Sequence, residues 1–408
     1  MAYKGNLFIA GTDSADGRYA SGIALTLSAT SPISFVYNSP CGEWQVEFIS
    51  GINDVVARTT QKLSREDVLI LGFEQVQRAL DILSVKKITS IITADPTRNN
   101  VGVYSREGKL VLFHYALDDI SMGLSLEVKM TDSEGNNIPI KKEPEPFWSE
   151  SFRYYRLSQS SSDLFEAYRN LFLGFEALLN EVVPKKRNER EGGWFKRSLS
   201  VIHEKIDLTD HLAEAGQDPV SYIIKSQYKD IRCRLLHAKL PEATLPHSIV
   251  NPVEVKRAYE QLLRIWRHIA GHYFDIPNSG GVITYIGFES LMSNAFKGYV
   301  GASYTEDNSP PLNQDDRISP TGLPVYDFSQ TDYLGACNPG VVRVFAREKK
   351  LDTIGVKTIY RVCVNRADTL FSVAYLNYGL KISGVDEWES IYDFRLINST
   401  QPNTEFKT

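Results

Sequence analysis

Residues 228–241, YKDIRCRLLHAKLP, place Arg232 and His237 five positions apart near the end of one helical pattern. Histidine changes its charge near neutral pH, and arginine presents a fixed cationic fork that matches the oxygens of a phosphate group. The two residue types are therefore suited to proton transfer beside a phosphate. Whether they can act together depends on the helix that carries them.

That helix is predicted by apolar residues at intervals of four and three. Neither Arg232 nor His237 lies on the apolar stripe, and at about 100° per residue His237 falls nearly opposite its centre. His237 should therefore face solvent or a partner surface. The two side chains diverge by roughly 140° on an ideal helix, so they converge only if the helix distorts or a second protomer completes the site. The stripe consists of Ile224, Tyr228, Ile231, Leu235 and Ala238, and Pro241 ends the helix.

Other basic residues are secondary candidates. Arg234 could contact a phosphate, although a surface ion pair with Asp230 is the simpler interpretation. A basic loop precedes Trp194, and its simplest interpretation is a solvated loop. As a functional site it would contact an RNA backbone, with Trp194 offering a ring for stacking. The loop contains Lys185, Lys186 and Arg187.

The residues that ligate metals show little sign of clustering. His268 and His272 have a spacing that can chelate a metal on a helix, but no third ligand is evident. The four cysteines are far apart and lack paired metal spacing. We therefore expect no metal and no cofactor. Cys233, between two arginines, could be a nucleophile, but an oxyanion hole is not apparent, so this role is disfavoured.

The chain divides into three regions that differ in their predicted secondary structure. Residues 1–150 and 276–408 show short strand-like runs separated by turn residues, with one capped helix near Ser64 in the first region. Residues 151–275 show four amphipathic helices joined by short loops. The predicted fold class is α+β, with a central four-helix bundle (151–275) flanked by two β-rich domains (1–150 and 276–408).

Composition favours an ordinary globular protein. The formal net charge of the 408 residues is −5, which gives no sign of nucleic-acid binding by the whole chain. The helical region alone is net basic, with 19 lysines and arginines against 16 aspartates and glutamates. No run approaches the roughly 18 apolar residues of a membrane span. We expect a cytoplasmic protein that does not enter a membrane.

The helical region resembles the HEPN superfamily, and within it the Apea-like branch. The resemblance is carried by LFEAYRNLFLGFEALLNEVVP as the long first helix, by EREGGWFKRSLSVI as the charged loop and second helix, and by IRCRLLHAK as the R-x-x-x-x-H motif. It covers about 120 of the 408 residues. The residue after the motif arginine is often Asn, Asp or His in that family, whereas here it is Cys233.

The resemblance implies a metal-independent endoribonuclease that works as a homodimer in antiviral defence or a stress response. Arg232 would then stabilise the transferring phosphate, and His237 would act as general acid or base. The flanking domains would respond to a trigger or an antitoxin partner of unknown identity. The alternative is a non-catalytic HEPN scaffold or sensor that dimerises and binds a ligand or partner.

Overall fold

The computed structural model contains two units, which we call the β unit and the helical unit. The β unit comprises residues 1–121 and 283–397, and the helical unit comprises residues 122–282 and 398–408. The residues that the structure describes are 1–13, 17–94, 99–122, 130–138, 146–212, 216–239, 243–244, 246, 252–276, 283–309, 317–349, 351, 358–367 and 369–398.

The strands are β1 (Ala2–Lys4), β2 (Leu7–Asp13), β3 (Gly17–Tyr19), β4 (Ser21–Thr26), β5 (Phe35–Asn38), β6 (Trp44–Phe48), β7 (Asp54–Thr59), β8 (Asn99–Arg106), β9 (Lys109–Met122), β10 (Met130–Thr131), β11 (Asn137–Ile138), β12 (Val300–Thr305), β13 (Val325–Asp327), β14 (Gln330–Asn338), β15 (Val341–Glu348), β16 (Thr358–Arg366), β17 (Thr369–Ile382) and β18 (Glu387–Asn398).

The helices are α1 (Arg65–Val85), α2 (Glu150–Ser160), α3 (Leu164–Val182), α4 (Glu191–His203), a 3₁₀ turn (Thr209–His211), α5 (Pro219–Ile223), a π-helix (Ile224–Arg232), α6 (Cys233–Leu236), α7 (Pro252–Tyr273) and α8 (Tyr285–Phe296).

The β unit is built from a seven-stranded and a nine-stranded sheet, and each contains strands from both ends of the chain. Their orders are β13-β12-β16-β17-β1-β2-β3 and β14-β15-β18-β9-β8-β4-β7-β6-β5. The prediction of two separate flanking β-rich domains is therefore wrong. The sequence pattern of a strand depends only on nearby residues. The neighbouring strand that hydrogen-bonds to its backbone can come from any part of the chain.

The nine-stranded sheet is mixed, and the junction between β9 and β18 shows why. The backbone of Leu110 accepts from Asp386 N at 3.0 Å, and His114 Nδ1 lies 3.0 Å from Ser390 Oγ. Residue numbers increase in the same direction along both strands, from the Leu110–Asp386 contact to the His114–Ser390 contact, so β9 and β18 are parallel. The β15–β18 and β8–β9 pairs on either side are antiparallel.

Apolar side chains fill the space between the two sheets, and α1 covers the other face of the nine-stranded sheet. Trp388 is fully buried, and its ring lies 4.8 Å from that of Tyr304 in the other sheet. Ser64 caps α1 by accepting a hydrogen bond from Asp67 N, as the sequence predicted. Gly72 brings α1 close to the sheet, because a Cβ there would lie 2.5 Å from Ile23 Cγ2.

The helical unit buries an aromatic core, but its described residues do not form the predicted four-helix bundle. Helix α2 adds a further member against α3, and the predicted third helix is divided into α5, the π-helix and α6. The core includes Phe172 and Phe195, whose rings stack with centroids 5.9 Å apart. Asp163 caps α3 by accepting a hydrogen bond from Glu166 N at 2.8 Å.

Candidate functional site

The segment that carries Arg232 begins as an ordinary helix and then widens. Asp218 caps α5 by accepting from Ser221 N at 2.8 Å, and Pro219 occupies the first turn, where its missing N–H costs nothing. Residues Ile224–Arg232 then adopt a π-helix, in which Cys233 N bonds to the carbonyl of Tyr228, five residues back. π-helical turns are rare and often mark functional positions.

The π-helix turns a different set of residues toward the core than the sequence predicted. Ile223, Gln227 and Ile231 are buried, whereas Ile224 and Tyr228 are only partly buried. Gln227 is fully buried although it is polar, since its side chain has partners: Oε1 accepts from Tyr168 Oη at 3.1 Å, and Nε2 donates to Gln261 Oε1 at 2.8 Å. Hydrogen bonding is what makes a buried amide acceptable at this position.

Arg232 is held within the helical unit by two carboxylates. Its Nη2 donates to Glu191 Oε1 at 2.8 Å and lies 3.8 Å from Glu176 Oε1. The guanidinium also lies over the ring of Tyr228, 5.1 Å from the centroid, and the side chain is only 16% exposed. The positive charge of Arg232 is therefore already balanced by residues from α3 and α4.

Glu176 is a titratable residue that sequence analysis missed. Burial raises its pKa to about 7, the nearby Glu191 carboxylate adds to the rise, and Arg232 and Lys185 oppose it. The group can therefore exchange a proton near neutral pH. A signal was present in the sequence, because Glu176 is the single charged residue of the apolar stretch FEALL.

His237 lies at the end of α6 and is exposed, in line with its predicted outward direction. Its backbone N–H donates to Cys233 O at 3.1 Å, which closes the last turn. Among the described residues, no hydrogen bond or ion pair joins His237 to Arg232. Pro241, which was predicted to end the helix, lies outside the described residues.

The basic loop joins α3 to α4, and its three predicted contact residues are exposed: Lys185, Lys186 and Arg187. Its backbone is fixed by hydrogen bonds from Lys185 N to Asn180 Oδ1 and from Lys186 N to Glu189 Oε2. The expectation that Trp194 offers a stacking surface is wrong. Its ring is 4% exposed, and its Nε1 donates to Val183 O at 2.9 Å.

A polar groove of about 580 Å³ lies on another face of the helical unit, and none of the sequence patterns indicated it. One wall is a face of α7, the other is formed by α5, the π-helix and α6, and residues 210–212 close one end. Arg234 lies in it, with Nη1 3.5 Å from Glu254 Oε2. The lining residues are Asp210, His211, Leu212, Tyr222, Ser226, Asp230, Ile231, Arg234, Glu254, Arg257, Ala258, Glu260, Gln261 and Arg264.

A chain of hydrogen bonds connects the groove to the interior. Gln261 Nε2 donates to His211 O at 2.8 Å and to Tyr222 Oη at 3.0 Å, while Gln261 Oε1 accepts from Gln227 Nε2 at 2.8 Å. Gln227 in turn accepts from Tyr168. The positions of the groove side chains are thus fixed by a buried network, as expected of a pre-formed binding site.

Several polar groups of the groove have no partner among the described residues. Ser226 Oγ and His211 Nε2 are buried and accept or donate no hydrogen bond. Arg257 and Arg264 are exposed and form no ion pair with any described residue. Buried polar atoms in native proteins usually have a partner, so unsatisfied atoms in a concave site point to a water or a ligand.

The histidines of α7 do not form a metal centre with the described residues. The rings of His268 and His272 lie 6.3 Å apart, and His268 Nε2 is 2.9 Å from the carbonyl of Asp207. Within the described ranges, no group of three or more His, Cys, Asp or Glu side chains could hold a metal ion. No helix in these ranges is long and apolar enough to cross a membrane.

Comparisons with known proteins do not extend this description. No family model, no curated protein and no solved structure matches the chain. The resemblance of the helical region to HEPN proteins therefore stays a prediction.

Proposed function

We propose that the helical unit is a binding module whose polar groove takes a small polar molecule. The observation that carries the proposal is the groove itself: about 580 Å³, with polar side chains converging from two helical walls. Small-molecule sites typically have volumes of roughly 300–1,000 Å³ and a few placed polar groups. The sequence suggested two functions, and this is the non-catalytic one, in which the protein binds a ligand and catalyses no reaction.

The ion pairs of Arg232 favour a binding function over a catalytic one. A guanidinium that stabilises a phosphate must present its N–H groups to the substrate. Arg232 instead directs Nη2 to Glu191, with Glu176 close by. The groove contains two further arginines, Arg257 and Arg264, that form no ion pair with any described carboxylate.

The test is thermal stabilisation of the full-length protein by a panel of the twenty amino acids, the four ribonucleoside 5′-monophosphates and common sugar phosphates. A binding compound should raise the melting temperature of the wild type. Ser226→Trp should abolish the rise by filling the groove, whereas Ser160→Trp, on an exposed position of α2, should preserve it. A panel without effect, or equal effects on Ser226→Trp and wild type, would overturn the proposal.

The second candidate is the metal-independent endoribonuclease, working as a homodimer with RNA as its substrate in antiviral defence or a stress response. One observation favours it: a carboxyl that titrates near pH 7, Glu176, lies beside Arg232 and close to the exposed basic loop at Lys185. Proton transfer without a metal needs such a group. Incubation with RNA in EDTA, comparing wild type with His237→Ala, tests it.

A further inference from the structure

The two walls of the polar groove run antiparallel, and this fixes where its charged side chains lie. Gln227 Nε2 donates to Gln261 Oε1 at 2.8 Å, and Arg234 Nη1 lies 3.5 Å from Glu254 Oε2. Residue numbers thus increase along the π-helix and α6 in the direction in which they decrease along α7. Every charged group of one wall can therefore be assigned a level on the other.

Two opposite charges lie at the end of the groove that residues 210–212 close. Burial lowers the pKa of His211, the charge of Arg264 adds to this effect, and the charge of Asp210 opposes it, so both charged groups lie near the imidazole. Neither Arg264 nor Asp210 forms an ion pair with any described residue. The buried Nε2 of His211 also lacks a hydrogen-bond partner among these residues. We call these three side chains the closed end of the groove.

Three further charges line the groove away from the closed end. Arg257 lies about 10 Å from Arg264 along the axis of α7, at a rise of about 1.5 Å per residue. Asp230, midway between the two contacts of its wall with α7, is level with Arg257, and Glu260 lies on α7 between the two arginines. We call Asp230, Arg257 and Glu260 the outer charges. They form no ion pair within the described part of the chain, and their sum is about −1.

The groove as a whole is negatively charged. Its lining carries three guanidinium groups against four carboxylates, and these numbers include the Arg234–Glu254 pair. Asp207, whose carboxylate accepts from Thr209 N at 2.9 Å, adds a further negative charge just before the closed end. With the imidazoles neutral, the sum is about −2. An anion is therefore disfavoured, and a simple cation would leave the guanidinium groups without a partner.

We propose that the groove binds a free basic amino acid, of which lysine is the simplest example. Its carboxylate would accept hydrogen bonds from the fork of Arg264 and from Nε2 of His211, and its α-ammonium would pair with Asp210. Its side-chain cation would lie between Asp230 and Glu260. Such a ligand supplies charges of both signs, and its single net positive charge has the sign that the groove lacks.

The apolar part of the lining suits the methylene chain of this ligand. Leu212 belongs to the segment that closes the groove, and the largely buried Ile231 and Ala258 line it from the π-helix and from α7. Methylene groups that pack against these side chains leave water, which favours binding. This inference rests on the proposed binding function and names the class of its ligand.

The test is isothermal titration calorimetry of the full-length protein with lysine and with analogues that each lack one charged group. Norleucine lacks the side-chain ammonium, ε-aminocaproate lacks the α-ammonium, and cadaverine lacks the carboxylate. Lysine should bind saturably, and each analogue should bind at least about tenfold more weakly. Glutamate, whose side chain would meet the carboxylates of the outer charges, should not bind.

Two matched substitutions on α7 locate the carboxylate of the ligand. Arg264→Gln should weaken lysine binding at least about tenfold, because the carboxylate loses its guanidinium partner. Arg257→Gln makes the same change on the same face of α7, but it removes a charge that repels the side-chain cation. The affinity of this variant for lysine should therefore be unchanged or higher.

The proposal is overturned if lysine shows no saturable binding, if any of the three analogues binds as tightly as lysine, or if Arg264→Gln binds lysine as the wild type does. The analogues are compared on the wild type, so their result holds whether or not a variant folds. Should lysine fail while another panel compound still stabilises wild type and not Ser226→Trp, the groove binds a ligand of a different class. A panel without any effect would contradict the binding function itself.

Discussion

Arg232 Nη2 donates a 2.8 Å hydrogen bond to Glu191 Oε1, which joins the end of the π-helix to the first turn of α4. Glu176 on α3 approaches the same nitrogen to 3.8 Å. One guanidinium thus lies between two carboxylates from two other helices. This arrangement makes Arg232 a structural residue in the first instance, whatever further role it has.

Removing this guanidinium should destabilise the helical unit. We expect Arg232→Ala to lower the free energy of unfolding by about 2 kcal/mol, because two partly buried carboxylates lose the charge that compensates them. The matched control is Arg169→Ala, whose side chain is 54% exposed in a pair with Glu166 and should cost less than about 0.5 kcal/mol. Urea unfolding followed by tryptophan fluorescence measures both, and equal effects would contradict the structural role.

Glu176 should make stability fall as the pH rises. Its pKa is about 7 in the folded protein against an ordinary value of 4.5, so the folded state keeps a proton that the unfolded state has already lost between these values. The stabilisation is complete below about pH 4.5 and disappears as the pH rises through 7. The expected loss between pH 5 and pH 8 is about 2 kcal/mol.

Glu176→Gln should remove this part of the pH dependence, and the exposed Glu166→Gln should leave it unchanged. Urea midpoints of the three proteins at pH 5 and pH 8 give the comparison. If the glutamine variant kept the wild-type slope, the carboxyl of Glu176 would not be the titrating group.

The hydroxyl of Tyr168, and not only its ring, should stabilise the helical unit. Tyr168→Phe removes the donor to the carbonyl and the side-chain oxygen of Gln227, so these buried acceptors lose a partner, at a cost of about 1–2 kcal/mol. Tyr273→Phe, at a 47% exposed ring, should cost little. Hydrogen exchange of the π-helix amides should also be faster in Tyr168→Phe. Unchanged exchange would show that the hydrogen bonds between Tyr168 and Gln227 do not stabilise the π-helix.

What the sequence could and could not predict follows from the range of the interactions involved. The cap at Ser64 and the α7 start at Pro252 depend on neighbours a few residues away, and local patterns identify such features. The pairing of β1 with β17 joins residues near the two ends of the chain, and no local pattern contains it. The same limit explains why two flanking domains were expected where one unit exists.

The site shows the same limit more sharply. The apolar spacing of Ile224, Tyr228 and Ile231 fits an α-helix, but the buried hydrogen bonds of Gln227 accompany a π-helix in which a polar residue faces the core. The groove joins residues 210–212, 222–234 and 254–264, three segments whose proximity arises only on folding. Arg232 and His237 were conspicuous by type, yet residue type does not reveal that Glu191 already binds the arginine.

The nuclease alternative makes a prediction that the binding module does not. Purified wild type should cleave RNA in the presence of EDTA, while His237→Ala should lose at least about a hundredfold in rate, as expected for a general acid or base. His272→Ala, on an exposed histidine of α7, is the control and should cleave normally. Light scattering should give a dimer at micromolar concentration. Equal RNA stability with all three proteins would eliminate the nuclease and leave the groove.

In the β unit, His114 should make the free energy of unfolding decrease as the pH is lowered. Its ring is fully buried between Ser390 and Asn99, and burial lowers its pKa to about 3, with the charge of Lys4 acting in the same direction. The unfolded chain therefore binds a proton between about pH 6.5 and pH 3 that the folded protein refuses. Lowering the pH from 7 to 5 should cost about 2 kcal/mol through this residue alone.

His114→Gln can preserve one hydrogen bond and cannot take up the proton, so its stability should change less between pH 7 and pH 5. Hydrogen exchange of the β9 and β18 amides reports the local free energy of opening in this unit, separately from the helical unit. His272→Gln, an exposed position in the helical unit, should leave the β9 and β18 values at both pH values unaltered. If wild type and His114→Gln lost the same protection on acidification, another group would have to carry the proton linkage, and the buried Lys4–Asp54 pair would be the next residues to substitute.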